Sequence, residues 1–345
     1  MQVKIFGRTA GIVGGVALAI ALLANPAVAD PSSATDYRQL AGTGSDTTQD
    51  AMNGLAEAIT IGGSKVIASW DARGSANIKT KATGCEFARP NGSGAGRTTL
   101  RNSETAGNAI AGCVEFARSS SGTTNVPSGN GVWIPFGVDA VSFVINQTSD
   151  LPINMPVGQL RNIYRCIMED IAGTPVQPLL LQAGSGTRQF WNQQMGITDQ
   201  EIALGDYPCL LPPAQGGTGL DPVQEHDGRV LAGHLDYLLP FSIAQHIAQG
   251  NSLPGVEDRR GPSDLGSIGG ASPYATGSNP RTLNTNFPFR RDVYNIVPTA
   301  DLGNSLIDQV FTGADSLVCQ NTAVIQRYGF GAAATCGDTS LRGTL

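Results

Sequence analysis

Residues 37–59 read YRQLAGTGSDTTQDAMNGLAEAI, and this stretch decides the fold. Its first part, 37–42, is typical of a short strand, and the polar turn TGSDTT at 43–48 follows at once. The apolar residues after the turn recur at i, i+3, i+4 and i+7, as Met52, Leu55, Ala56 and Ile59. That spacing predicts an amphipathic helix beginning near Thr47 or Thr48. The stretch therefore predicts a strand, a polar loop and a helix start in immediate succession.

Strand and helix signals continue to alternate along the chain. Residues 132–136 and 138–145 are apolar and rich in β-branched side chains, as in strands buried on both faces. Further helices are predicted over 156–167, from 182–187 onward, over 242–249, over 305–311 and over 321–329. Residues 84–108 and 251–288 are rich in glycine, asparagine and serine and predict surface loops. The chain is therefore expected to be an α/β protein with a parallel or mixed sheet covered by helices.

The composition limits the class of protein. The chain has 345 residues, and single cores rarely grow beyond about 250–300 residues, so two lobes are expected. With 41% hydrophobic and 14% charged residues, the chain is expected to be globular and soluble. A formal charge of −6 gives no basic surface for nucleic acid or an anionic membrane. The sequence contains no GxxxxGK[ST] loop, which argues against nucleotide hydrolysis. It contains no GxSxG elbow after a strand, which argues against a secreted hydrolase. We expect no cofactor.

The first thirty residues have the pattern of a signal peptide. Lys4 and Arg8 precede an apolar run at 10–23, and the sequence AVA at 27–29 is typical of a cleavage site. The run is shorter than the roughly 20 residues that span a bilayer, which disfavours an anchored helix. We predict secretion, with cleavage near Ala29 of a signal peptide at 1–29. We predict no lipid attachment, because the residue directly after the cleavage site is Asp30 and not a cysteine.

The six cysteines all follow the predicted signal peptide, and an even number in an exported chain suggests disulfides. Six cysteines allow fifteen pairings. We favour the sequential set, in which each disulfide closes a local loop: Cys85 with Cys113, Cys166 with Cys209, and Cys319 with Cys336. A zinc site is disfavoured because no C-x-x-C spacing occurs. The histidines, His226, His234 and His246, show no ligand spacing either, so we expect surface or structural histidines and no metal.

Three segments share one design, in which a strand ends in a turn of glycine, serine and threonine, and a helix start follows in at least two of them. They are Gly44-Ser45-Asp46-Thr47-Thr48, Arg118-Ser119-Ser120-Ser121 and Gly184-Ser185-Gly186-Thr187-Arg188. A helix N-terminus offers unpaired N–H groups and the positive end of the helix dipole, which suit an oxyanion. The alternative for each turn is an ordinary N-cap. Three such turns in one α/β chain favour a binding site beyond the carboxyl ends of the strands.

These segments, taken in order with the apolar stretch at 134–144, resemble the substrate-binding proteins of bacterial phosphate ABC transporters. The actinobacterial variety is the most similar, and the segments at 291–295 and 319–330 resemble its C-terminus. The resemblance implies a two-lobe periplasmic-binding-protein type II fold with a ligand cleft between the lobes. It also implies a first lobe formed by 30–136 and 250–345, with 137–249 as the second lobe. We expect hinges near Phe136 and at 240–249.

The resemblance also implies a set of binding residues. In the first lobe these are Thr47, Thr48, Ser75, Ser119 and Ser120; in the second lobe they are Ser185, Gly186 and Thr187. Two positions depart from the family, which has an aspartate where this chain has Ser120 and an arginine where it has Leu181. Either Arg118 and Arg188 supply the positive charge, or the ligand is not phosphate. Asp46 could accept the proton of the ligand, although an N-terminal cap is the favoured role.

The sequence therefore predicts a secreted solute-binding protein that captures a small oxyanion, with inorganic phosphate favoured, for ABC-type uptake. Binding would proceed by lobe closure without covalent chemistry. The expected partners are the anion and an ABC permease, with no nucleic acid, and the protein is expected to be a monomer and not an enzyme. The alternatives are a cell-surface adhesion protein or a binder of another solute on the same scaffold, and, less favoured, a secreted hydrolase.

Overall fold

The computed structural model describes residues 30–31 and 36–345, so the predicted signal peptide at 1–29 lies outside the described residues. Within them, the chain begins with short strands and two helices: β1 (Leu40–Gly44), α1 (Gln49–Ala58), β2 (Thr60–Ile61), β3 (Ser64–Lys65), β4 (Ile67–Ser69), β5 (Asn77–Lys79), β6 (Glu86–Ala88), α2 (Ser93–Glu104) and β7 (Phe116–Ser119). No helix in the described ranges is long and apolar enough to cross a membrane.

The middle of the chain starts with the long strand β8 (Gly131–Asn146). It continues with β9 (Asn154–Met155), α3 (Val157–Tyr164), β10 (Asp170–Ile171), β11 (Thr174–Pro175), β12 (Gln177–Pro178), α4 (Gly186–Met195), α5 (Asp199–Leu204), β13 (Tyr237–Ser242), α6 (Ile243–Gly250), β14 (Ser263–Leu265) and β15 (Ser267–Ile268). Short 3-10 helices lie between α5 and β13, at Pro208–Leu210, Pro213–Gln215 and Gly228–Leu231. The C-terminal part contains β16 (Arg290–Pro298), a 3-10 turn (Thr299–Asp301), α7 (Ser305–Phe311), α8 (Leu317–Gln320), α9 (Thr322–Arg327), β17 (Gly331–Ala332) and β18 (Arg342–Gly343).

One mixed sheet connects the two halves of the molecule, with the strand order β12-β13-β8-β16-β7-β1-β4. Strand β1 is parallel to β4 and β7, whereas β16 is antiparallel to β7 and β8. Strand β8 pairs with β16 from Gly131 to Ala140 and with β13 from Val141 to Val144. The carboxyl ends of β1 and β7 lie side by side, because Gly44 pairs with Arg118. This pairing brings the two predicted binding turns of the first lobe together.

The buried apolar side chains of the described residues form three clusters, and the smallest of them, around Leu100, Val114 and Trp133, belongs to the first of two lobes. The two larger cores define the lobes. The first core is built mainly from side chains of 40–136 and 293–330, and the second from 140–289. Both β8 and β16 pass between them, which supports the two-lobe prediction. The predicted boundaries assign all of 250–345 to the first lobe, but Leu265, Leu283 and Phe289 are buried in the second core. The packing of these side chains therefore places the return to the first lobe at β16.

The helices predicted from periodicity are confirmed, with α1, α3, α4, α6, α7 and α9 beginning within two residues of the expected starts. The prediction of a surface loop over 84–108 was wrong, because this segment contains β6 and the twelve-residue helix α2. Its glycines allow close packing of backbones. A Cβ on Gly96 would lie 2.5 Å from the Cα of Gly44, and a Cβ on Gly92 would lie 2.7 Å from the carbonyl oxygen of Gly184. Helix α2 therefore packs through its backbone, which a search for apolar periodicity does not detect.

The packing of α2 leads to a stability prediction. We expect Gly96→Ala to lower the free energy of unfolding by about 1–3 kcal/mol, because the new methyl group would overlap backbone atoms of β1. Gly94→Ala is the matched control on the same helix, since its Cβ would lie 3.5 Å from the Cα of Gly184, an ordinary contact. The control should be neutral or stabilising by up to about 1 kcal/mol. Urea unfolding of both variants checks this, and equal effects would contradict the close contact.

The structure forms the three sequential disulfides, Cys85–Cys113, Cys166–Cys209 and Cys319–Cys336. Their Cα–Cα distances are 5.3, 5.7 and 5.8 Å. Each disulfide joins segments that are close in the chain, and the first connects the beginning of β6 to the loop before β7. The set favoured among the fifteen possible pairings is the set present in the structure.

Candidate functional site

A cluster of buried hydroxyl groups lies where the carboxyl ends of β1 and β7 meet. Its centre is Ser120, directly after β7, and three other hydroxyls lie within hydrogen-bond distance of its Oγ atom. Ser45 Oγ and Thr47 Oγ1 donate to it at 3.2 and 3.1 Å, and Ser93 Oγ lies at 3.3 Å. The backbone N–H of Ser120 also donates to Ser93 Oγ, at 3.0 Å. All four side chains are at most 3% exposed, so the cluster is shielded from solvent.

The start of α4 in the second lobe closes this cluster from the opposite side. Thr187 Oγ1 lies 3.2 Å from Thr47 Oγ1, a contact between the two lobes. A Cβ on Gly186 would lie 2.4 Å from Ser120 Oγ and 2.6 Å from Ser93 Oγ. Only glycine therefore allows the first turn of α4 to approach the hydroxyls so closely. The first N–H groups of a helix have no acceptor within the helix, and Gly186 and Thr187 supply them here.

The cap of α4 is fixed by its own side chain. Ser185 is the N-cap residue, and its Oγ accepts the backbone N–H of Arg188 at 3.0 Å while donating to the buried carboxylate of Glu225. Ser185 therefore positions the helix start and shows the N-cap role that the sequence left as the alternative. The buried Glu225 Oε1 has no hydrogen-bond partner among the described residues.

The positive charge beside the cluster comes from Arg291, which is not among the binding residues predicted from the sequence. Its Nη2 donates to Thr187 Oγ1 and its Nη1 to the carbonyl oxygen of Gly186, both at 2.9 Å. The same guanidinium forms an ion pair with Asp139, at 2.8 Å. Asp139 in turn accepts from Ser242 Oγ at 2.8 Å. Arg291 is thus held by β8 and β13 and reaches the start of α4.

The two arginines predicted to supply this charge lie elsewhere. Arg118 is fully buried, and it donates to Ser69 Oγ at 2.9 Å and to the carbonyl oxygens of Gly42 and Ser45. Burial lowers the pKa of Arg118 to about 10. Arg188 lies near the surface, where it pairs with Asp199 at 2.7 Å. Successive side chains on a strand point to opposite faces, and those on a helix are turned by about 100° from one to the next, so an arginine next to a binding residue in the chain does not share its direction.

Three of the predicted serine and threonine residues also lie outside the cluster. Ser75 is exposed, donates to the carbonyl oxygen of Asn77 and accepts from Arg89. The hydroxyl of Ser119 turns back to the backbone of Ser121. Thr48 is buried as the N-cap residue of α1, but its Oγ1 has no partner among the described residues. The structure thus brings together Thr47, Ser120, Gly186 and Thr187 from the predicted set, and adds Ser45, Ser93 and Arg291.

Asp46 lies directly behind the cluster and is not the helix cap that the sequence favoured. Thr48 takes the N-cap position, and the fully buried Asp46 carboxylate faces the second lobe instead. Its Oδ2 lies 3.3 Å from His226 Nδ1, and its Oδ1 lies 3.6 Å from Arg259 Nη2. Burial alone would raise the pKa of Asp46. Arg259, the His226 hydrogen bond and Arg73 outweigh burial and hold the pKa of Asp46 below its ordinary value.

Asp46, Glu225 and His226 are close enough to share a metal ion, since one potential ligand atom of each lies within 4.8 Å of the others. Two cationic side chains already face Asp46, with Arg259 at 3.6 Å and Arg73 at 4.0 Å. Positive charges at this distance oppose the binding of a cation. We therefore interpret Asp46, Glu225 and His226 as side chains packed around the hydroxyl cluster and not as a metal site. The other histidines behave as predicted, since His234 stacks on Tyr237 and His246 is buried between Ser263 and Tyr274.

No protein-family model matches the chain, and no curated protein matches it in sequence. It is similar to a solved structure from Clostridium perfringens that is described as a phosphate ABC transporter substrate-binding protein with bound phosphate. That match has 14% identity, covers 85% of this chain and 99% of the other, and has a TM-score of 0.52. An ABC-type phosphate transport receptor from Vibrio cholerae matches with 16% identity, 85% and 100% coverage, and a TM-score of 0.51. The two-lobe periplasmic-binding-protein type II fold predicted from the sequence is therefore confirmed.

Proposed function

We propose that this protein is a secreted solute-binding protein that captures a small oxyanion, inorganic phosphate, between its lobes. It would be exported by cleavage near Ala29, act as a monomer and deliver its ligand to an ABC permease. The two similar solved structures support this proposal, because both are described as phosphate transport proteins and neither as an enzyme.

Hydrogen-bond donors from both lobes meet at one buried position, and this is the main support for the proposal. The first lobe contributes the hydroxyls of Ser45, Thr47 and Ser120. The second lobe contributes the start of α4, where helix N–H groups and the hydroxyl of Thr187 face the cluster. Neutral dipoles of this kind suit a dehydrated anion. They also explain how a chain with a net charge of −6 would hold an anion.

The contacts of the closed lobes support binding by a hinge motion. The hydroxyls of Thr47 and Thr187 lie 3.2 Å apart and contact each other. Two donors that bind one anion from opposite sides lie further apart than a single hydrogen bond. The lobes would therefore open for the anion to enter, and the bonds between hydroxyls would be exchanged for bonds to the ligand. Closure would be selected by the ligand, because only a closed state lets both lobes donate to it.

Arg291 would supply the positive charge that the resembled family has from an arginine at the position of Leu181. Its guanidinium donates to Thr187 Oγ1 and is already paired with Asp139. The net positive charge that it adds to the site is therefore small, and its contribution is mainly the directed hydrogen bond to Thr187. The site would therefore hold phosphate with one shared arginine and many neutral donors. This arrangement keeps phosphate as the favoured ligand although neither Arg118 nor Arg188 reaches the cluster.

We expect isothermal titration of the secreted chain, residues 30–345, to show one phosphate site per molecule, with arsenate binding similarly because it has the same shape and protonation. Gly186→Ala is the matched variant, since a methyl group 2.4 Å from Ser120 Oγ would occupy the space between the lobes. It should weaken binding at least tenfold. Absence of heat with phosphate, sulfate and arsenate would overturn the oxyanion proposal and favour another solute or an adhesion role on this scaffold.

A further inference from the structure

A groove of about 700 Å³ lies between the lobes and adjoins the hydroxyl cluster. Ser120, at the centre of the cluster, lines the groove, and so does Arg291, which donates to Thr187 Oγ1. The volume is typical of small-molecule sites, which range from about 300 to 1,000 Å³, and is far larger than a phosphate ion. The groove therefore offers space beside the anion site that inorganic phosphate would leave empty.

The sides of the groove continue the elements that form the cluster. The first-lobe side is the segment 121–124, which directly follows Ser120, and the floor is β16, where Tyr294 lines the groove. The second-lobe side is α4, whose exposed residues Gln189 and Gln193 lie on one face of the helix. An α-helix rises about 1.5 Å per residue, so α4 extends this side about 10 Å beyond the helix start. A ligand held by its phosphate group in the cluster would thus extend along the groove.

Neutral hydrogen-bonding groups in the groove are available to a ligand. The side-chain amides of Gln189 and Gln193 and the hydroxyl of Tyr294 make no hydrogen bond to the part of the chain that the structure describes. Amides and hydroxyls both donate and accept, as do the hydroxyl groups of a polyol. The ring of Phe190 lines the same groove, with Arg291 Cζ 5.3 Å from its centroid. An aromatic ring beside a few polar groups is typical of small-molecule sites and suits a polyol, which has both carbon–hydrogen and hydroxyl groups.

The charged side chains of the groove balance one another. Among the described residues, those that line it are two arginines and two aspartates, namely Arg290, Arg291, Asp199 and Asp292. Arg291 is already paired with Asp139, and Asp199 is paired with Arg188. A second anionic group, as in a polyphosphate, would therefore meet no net positive charge along the groove. The groove is suited to an uncharged polar group.

We propose that the groove binds the organic part of a polyol phosphate monoester, such as a glycerol or sugar phosphate, whose phosphate group occupies the anion site. This inference rests on the proposed function and widens the ligand class from inorganic phosphate to its monoesters. The free phosphate oxygens accept from the donors of both lobes, and the ester oxygen lies where Ser120 and Arg291 border the groove. The hydroxyl groups of the polyol exchange hydrogen bonds with the amides of Gln189 and Gln193.

The test compares isothermal titrations of the secreted chain, residues 30–345, with inorganic phosphate, glycerol 3-phosphate and glucose 6-phosphate. Gly122→Phe is designed to fill the groove, because the nearest described atom to a Cβ on Gly122 would be the hydroxyl oxygen of Tyr294 at 3.6 Å, an ordinary contact. Gly122→Ala is the matched control, since its methyl group leaves the groove open. Gln193→Ala removes one of the proposed hydrogen bonds. Thermal melting of each variant, followed by circular dichroism, reports whether it is folded.

We expect both esters to bind the unsubstituted chain at least as tightly as inorganic phosphate. Gly122→Phe should weaken ester binding by roughly tenfold or more and keep the phosphate affinity within a few-fold, whereas Gly122→Ala should keep all three affinities within a few-fold. Gln193→Ala should weaken ester binding by roughly tenfold. Esters that bind more weakly than phosphate, or ester binding that is unchanged in folded Gly122→Phe, would overturn the role of the groove and leave the proposed function intact. A chain that binds none of the three compounds would overturn the proposed function itself.

Discussion

We expect Thr187→Asp to abolish phosphate binding while the protein remains folded. The new carboxylate would stand at the second residue of α4, where Thr187 now lies 2.9 Å from Arg291 Nη2 and 3.2 Å from Thr47 Oγ1. A carboxylate at a helix start is favourable, and Arg291 can pair with it, so the fold should tolerate the change. It would, however, occupy the place of the anion. Two negative charges about 4 Å apart repel by about 4 kcal/mol near a protein surface, or about a thousandfold in affinity.

Titration with phosphate measures this effect, and thermal melting shows whether the variant is folded. Thr187→Ser is the matched control, because it keeps the hydroxyl that accepts from Arg291 and loses only a methyl group. Its affinity should stay within a few-fold of the unsubstituted chain. If Thr187→Asp binds phosphate normally, the anion site lies elsewhere in the molecule and the assignment of the cleft fails.

The sequence predicted the parts of the site that depend on backbone shape. The strand, turn and helix start at 40–58 and the helix start at 184–188 follow from local residue types, and the structure has both. Ser185, predicted as a binding residue, takes the N-cap role that was left as the alternative. Ser93 was missed because the segment around it contains few apolar residues. The glycines of this segment allow α2 to lie against β1 and Gly184. The glycine content therefore both made the helix hard to predict and places Ser93 Oγ 3.3 Å from Ser120 Oγ. The missed signal was the glycine spacing at Gly92 and Gly96.

The charged residues of the site could not be predicted from neighbouring motifs. Arg118 and Arg188 are adjacent to binding turns in the chain, but adjacent side chains on a strand or a helix start point in different directions. Arg291 reaches the site because β16 pairs with β8 beside Asp139, a contact between residues 152 positions apart. His226 and Asp46 likewise meet across the lobes, 180 positions apart. Such pairs depend on strand order and lobe closure, which local sequence does not specify.

Arg291→Met should be the most destabilising of the substitutions considered for this protein. The Arg291 side chain is 5% exposed and pairs with Asp139, which is fully buried. Removal of the guanidinium would leave a buried carboxylate whose remaining partners in the described part of the chain are Ser242 Oγ and the N–H of Ala244. Breaking a buried pair in this way costs about 3–5 kcal/mol, because the remaining charge is uncompensated. Urea unfolding of the variant measures the loss.

The neighbouring residue on β16 provides the control. Arg290 is exposed and donates to the carbonyl oxygen of Thr285, so Arg290→Met should change the free energy of unfolding by less than about 0.5 kcal/mol. Combining Arg291→Met with Asp139→Asn should restore part of the stability, since a neutral amide can still accept from Ser242. Phosphate binding should stay weak in the double variant, because the donor to Thr187 is still absent. Equal stability of Arg291→Met and Arg290→Met would show that the buried pair with Asp139 does not stabilise the fold.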